Sequence, residues 1–192
     1  MRWAYPAGSR IDTPPTVCGR ALFFGSADGW LYCLTTERGE LVWRLRLAPA
    51  EQYICADNMV ESVWPVHGSV LFQKGKLYAV AGRSSYLDYG LFVYEIDPLS
   101  GEIVRRKILF SPDPKTGQMP RGDAFKLPGT ASDIPVGDGL SVYIRRERVF
   151  GEGVGRRAHL IATGGLRDSS WFNRIRWIIG KVNDASLLVF SK

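Results

Sequence analysis

The chain has 192 residues, 45% of them apolar, 12% aromatic and 23% charged, with a net charge of +6. This composition excludes a chain that is disordered throughout and suffices for a buried core. No apolar run approaches the roughly 20 residues of a membrane-spanning helix.

The excess charge is uneven. Residues 1–96 carry nine basic and nine acidic side chains, and residues 97–192 carry 16 and 10. The basic groups come in twos and threes, as at 105–107, 145–146 and 156–157, which is the pattern of solvated strand faces rather than of a nucleic-acid groove. Met1 to Pro6 contains no apolar stretch of secretory length, so no signal peptide is expected in this chain. The three cysteines, Cys18, Cys33 and Cys55, form no CxxC pair, and with only His67 and His159 beside them they make no zinc set. Each is expected to be a small buried apolar residue.

Taken in chain order, the periodicity is that of strands. Ala21 to Phe24 and Trp30 to Leu34 flank a Gly/Asp turn at 25–29, which predicts a hairpin. A turn at 37–40 leads into a half-buried strand at 41–47. Residues 48–64, acidic and small, predict a short helix or a loop. The same grammar then returns: a strand at 69–72, a Lys74-Gly75-Lys76 turn, and strands at 77–82, 91–96 and 102–109, the last two joined through 98–101. Aligning the turns places Leu31 on Val93, Gly39 on Gly101 and Glu40 on Glu102, an internal repeat with an offset of 62 residues. Residues 83–89 stand out as an insert between two strands. Residues 111–135, with five prolines, predict a long loop. Strand signals resume at 140–145, 159–162, 171–179 and 187–190.

The run 25–34 followed by Gly39-Glu40-Leu41-Val42-Trp43 resembles a PQQ-type β-propeller repeat, as found in quinoprotein dehydrogenases and BamB-like outer-membrane assembly scaffolds. The repeat has a small residue, then Asp or Asn, then Gly, then Trp. In the first unit these positions are Cys33, Thr35, Gly39 and Trp43; in the second they are Glu95, Asp97, Gly101 and Arg105. The resemblance implies that Gly39, Trp43, Asp97 and Gly101 dock one blade on the next. Four stretches (10–16, 61–68, 81–85 and 168–171) are also similar to the BamB-like propeller region of large planctomycete proteins. The expected fold is all-β: a partial propeller of three to four antiparallel blades. It spans residues 1–192 as one domain that is incomplete or part of a longer protein.

Chemistry is the weaker expectation. A PQQ-dependent dehydrogenase needs calcium ligands and a carboxylate base, and many place a disulfide of adjacent cysteines over the cofactor; this chain has no adjacent cysteines. Asp28 precedes Gly29, Asp168 precedes Ser169 and Asp88 lies two residues before Gly90, settings in which aspartate makes turns. No catalytic, metal or cofactor residue is therefore expected, and PQQ and calcium belong only to the alternative, a remnant or part of a quinoprotein dehydrogenase. Binding is expected on loops, with Arg83, Asp88, Arg167, Asp168 and Trp171 as candidates, since Arg and Trp dominate contact hot spots. A plainer alternative pairs Arg83 with Asp88. The partner expected is a protein or a cell-envelope component, with self-association through open blade edges. Nucleic acid is not expected, because on a strand Trp177 lies opposite Arg174 and Arg176. The resemblance places such a protein in the cell envelope or periplasm.

Overall fold

A computed structural model describes residues 2–56, 58–113, 115–118, 132, 134–145, 147–151, 160–162 and 177–179. The predicted strands at 187–190 and most of 171–179 lie outside the described residues.

Two four-stranded antiparallel meanders form the body. The first comprises β1 (Thr16–Cys18), β2 (Ala21–Gly25), β3 (Trp30–Thr35) and β4 (Leu41–Arg46). A two-stranded hairpin follows, β5 (Tyr53–Ala56) and β6 (Met59–Ser62), where the sequence predicts a helix or loop. The second meander comprises β7 (Leu71–Gln73), β8 (Lys76–Ala81), β9 (Leu91–Ile96) and β10 (Ile103–Leu109). Then come the three-stranded sheet of β11 (Val136–Gly137), β12 (Ser141–Ile144) and β13 (Glu147–Gly151), and the pair β14 (Leu160–Ala162) and β15 (Trp177–Ile179). The innermost strands lie side by side, with β7 touching both β1 and β11. This all-antiparallel arrangement is a partial β-propeller.

The repeat holds at the level of backbone pairing. Thr16 faces Phe23 as Leu71 faces Tyr78, an offset of 55. Cys33 faces Trp43 as Glu95 faces Arg105, an offset of 62, and the bulge that follows falls at the same place in both blades. The turns match as well. Gly39 N–H donates to Thr35 and Thr35 N–H to Glu40 O; Gly101 donates to Asp97 and Asp97 to Glu102 O. The difference between the two offsets is seven residues, the length of the insert 83–89 between β8 and β9.

Strand alternation makes each blade two-faced. One face of blade 1 (Phe23, Leu31, Cys33, Trp43, Leu45) packs on Leu77, Ala79, Ala81, Phe92, Tyr94 and Ile96 of blade 2. The other face of blade 2 (Tyr78, Val80, Leu91, Val93) packs on Val142, Ile144, Val149 and Phe150 of blade 3. Blade 1's outward face (Leu22, Phe24, Trp30, Tyr32, Leu34) is covered by Trp3, Tyr5 and Ala7. Cys33 is buried and Cys18 half-buried, but Cys55 is exposed, because β5 presents residues 53–55 to solvent while β6 buries Glu61 and Ser62.

Candidate functional site

The two ends of the blades differ. At one end the links are short turns at 19–20, 36–40, 74–75, 97–102 and 138–140. At the other end the chain spends extra residues: the hairpin β5–β6 and the insert 83–89. This is the end where loops on a rigid scaffold can vary without disturbing strand register.

A charged network ties these segments together. Glu61, on β6, is 0% exposed. Its Oε1 accepts from Arg10 Nη2 at 2.5 Å and its Oε2 from Arg83 Nη2 at 3.0 Å. Arg10 Nε donates to Asp12 Oδ1 at 2.5 Å, and Asp12 Oδ2 lies 2.6 Å from His67 Nδ1. Arg83 Nη1 donates to Val63 O at 2.5 Å, and the Trp64 indole donates to Asp88 O at 2.6 Å. Burying Glu61 carries a desolvation penalty, which two charge-assisted hydrogen bonds offset. Burial disfavours the Arg10 charge, but Asp12 and Glu61 outweigh it and raise its pKa. Burial lowers the pKa of His67 against the opposing pull of Asp12. With Nδ1–H donated to Asp12, its Nε2 is buried and meets no hydrogen-bond partner among the described residues.

The segments that the network joins also expose apolar side chains. Tyr53, Ile54, Met59 and Val60 of the hairpin are exposed, Val60 to 62%, as are Leu87 and Tyr89 of the insert, Tyr89 to 74%. Asp88 and Tyr89 both have left-handed φ angles, 51° and 64°. Such strain in an exposed aromatic persists only where the surroundings hold it. The opposite end exposes Leu99 and Leu140 on separate turns.

Of the residues singled out in the sequence, Arg83 lies in the network, paired with Glu61 rather than Asp88, which contributes its backbone carbonyl. Arg167, Asp168 and Trp171 lie outside the described residues. Asp28 is a turn aspartate, accepting from Trp30 N–H and the Tyr32 hydroxyl. Trp43 reaches blade 2, its indole donating to Pro98 O at 3.1 Å above Gly101. Asp97 accepts from Lys76 and from the backbone N–H groups of Leu99 and Ser100, which in that order lower its pKa. Arg105, at the position of Trp43, pairs with Glu95 and stands 5.1 Å over the Phe150 ring. Sequence reasoning missed Arg10, Asp12, Glu61 and His67 as a group. They lie in the stretches 10–16 and 61–68, which with 81–85, the stretch of Arg83, carry the second resemblance, and that convergence was the available signal.

Asp12 and Glu61 are turned onto arginines, and no group of three or more His, Cys, Asp or Glu side chains among the described residues is placed to hold a metal. No helix among the described residues is long and apolar enough to cross a membrane.

No protein-family model matches the chain, and no curated protein sequence matches it. Among solved structures it is similar to BamB from Moraxella catarrhalis, with 16% identity, a TM-score of 0.45, and coverage of 74% of this chain and 33% of that one. It is similar to the quinohemoprotein alcohol dehydrogenase from Comamonas testosteroni, at 18% identity and a TM-score of 0.43, over 54% of this chain and 14% of that one. A europium-containing methanol dehydrogenase matches at 16% identity and 0.45, over 59% and 19%. The chain thus spans about a third of BamB's length and less of the dehydrogenases. These are the two kinds of protein that the repeat resembles.

Proposed function

We propose that this chain is a non-catalytic PQQ-like propeller scaffold that binds a protein partner, a component of the cell envelope, on its loop end. One observation carries the reading: both departures from the repeat within the first two blades, the hairpin β5–β6 and the insert 83–89, fall at the same end. Arg83 and Glu61 fasten them together, and they expose six large apolar side chains on adjoining segments. Exposed apolar side chains on anchored loops are candidates for interaction. Rigid anchoring lowers the ordering cost of binding.

The test is photo-crosslinking in envelope extracts, with the probe at Val60 or Tyr89 and, as control, at Lys74 on the opposite end. One discrete adduct from Val60 and Tyr89, lost in a Leu87→Ser/Met59→Ser variant and absent from Lys74, supports the reading. Equal labelling from both ends counts against it. A melting temperature raised by PQQ with calcium would favour the dehydrogenase alternative.

A further inference from the structure

The N-terminal segment repeats a strand. The Trp3 indole donates to Thr36 O at 3.1 Å, and the Trp43 indole donates to Pro98 O at 3.1 Å. Thr36 and Pro98 are repeat partners, so Trp3 stands on blade 1 as Trp43 stands on blade 2. Gly39 underlies Trp3 as Gly101 underlies Trp43. The likeness continues along the chain. Trp43, Leu45 and Leu47 belong to the core that covers Phe92, Tyr94 and Ile96; Trp3, Tyr5 and Ala7 belong to the one that covers Trp30, Tyr32 and Leu34. The offset is 40 in each case. Further on, Ala27 N–H donates to Arg10 O as Gly82 N–H donates to Pro65 O. Arg10 follows Ala7 by three positions and Pro65 follows Leu47 by eighteen, and those fifteen added residues accommodate the hairpin β5–β6.

In blade 1, the strand bearing Trp43 is held by three inner strands, β1 to β3. The segment bearing Trp3 belongs to no sheet. Beside it an apolar cavity of about 170 Å³ opens between Trp3, Tyr5, Ile11, Leu22, Phe24 and Leu34. Pro6 falls at the position of Arg46, the last residue of β4, and an outermost strand is where a sheet tolerates proline.

We infer that residues 3–7 are the outermost strand of a further blade, and that the half-covered face of blade 1 takes the three inner antiparallel strands of that blade. The occupant is defined by its chemistry. It offers a free strand edge to residues 3–7 and an alternating apolar face to Ile11, Pro15 and Leu22, the accessible lining of that cavity.

The offset of 40 specifies the experiment, because Met1 corresponds to Leu41. Residues 13–40, which carry β1 to β3, are fused directly ahead of Met1 of the full chain. A control fusion carries one extra alanine at the junction, which slips the register and turns every side chain to the wrong face. Expected for the in-register fusion is amide exchange at residues 2–7 at least roughly tenfold slower than in the unfused chain, and a melting temperature raised by about 5 °C or more. The slipped fusion should gain neither. A second fusion, taking residues 68–102 so that Glu102 precedes Met1, repeats the test with different side chains. If neither in-register fusion protects residues 2–7 beyond the slipped one, the inference is overturned. Protection that appears in the unfused chain as its concentration rises, and that Ile11→Glu abolishes, would overturn it too, by placing a second copy on this face.

Discussion

Trp43 occupies the space that a side chain at Gly101 would need: a Cβ there would come within 2.8 Å of the indole. Gly101 also has φ of +74°, so the turn requires glycine twice, for its backbone and for its neighbour. Gly75 has φ of +72° with nothing within 4 Å. Gly101→Ala should therefore cost about 2–4 kcal/mol, and Gly75→Ala about 1 kcal/mol, the strain alone. Paired denaturant titrations check the ordering; equal losses would mean that the indole moves aside freely.

Glu61 is the hub of the ionic network. Glu61→Ala leaves two partly buried guanidinium groups without their shared acceptor and should destabilise the chain by about 3–5 kcal/mol. Arg83→Ala leaves Glu61 with Arg10 and should cost less. If the network couples the insert to the scaffold, Glu61→Ala should also speed amide exchange across residues 83–89, which hydrogen exchange with mass spectrometry reads directly.

The third prediction concerns pH. Burial lowers the pKa of His67 in the folded chain, while in the unfolded chain it titrates near about 6.5. Below that value the unfolded state binds a proton that the folded state resists. Stability from this site is therefore intact above about pH 6.5 and falls as pH drops from there toward the lowered folded value. A melting series from pH 8 to pH 5 should show the decline, and His67→Gln should flatten it. An unchanged slope in the variant would assign the decline to other groups.

Thiol chemistry separates the cysteines. Burial pushes the Cys33 thiol up to about 11, and both burial and protonation make it inert. Cys55 is exposed. A maleimide at pH 7.5 should label Cys55 at least roughly a hundredfold faster than Cys33 in the folded chain, and at similar rates in denaturant, as peptide mass spectrometry would follow.

What the sequence made legible was local. The turns around Gly39 and Gly101 carry their own chemistry, so the repeat could be aligned from them, and the paired registers agree with that alignment. The hairpin β5–β6 was harder: its strands are four residues each and show no long alternation, and its turn uses Asn58 in a left-handed conformation instead of glycine. Strand β13 follows a turn at Arg145, φ 51°, a residue type that gives no turn signal. The network had no local signal beyond the shared resemblance of its stretches, because Arg10, Glu61 and Arg83 meet only in the folded chain and no local pattern encodes pairings over 51 and 22 positions.

The exchange of Trp43 for Arg105 has a consequence for the response to salt. The junction between the first two blades closes over an indole anchored on Pro98, whereas the next is bridged by Arg105, which reaches Glu95 within its own sheet and the Phe150 ring across the gap. The Arg105 side chain is more than half exposed, so salt screens its contacts while leaving the apolar seam intact. Raised ionic strength therefore reaches the second junction through Arg105, while the first, closed by an uncharged indole, has no such contact to lose.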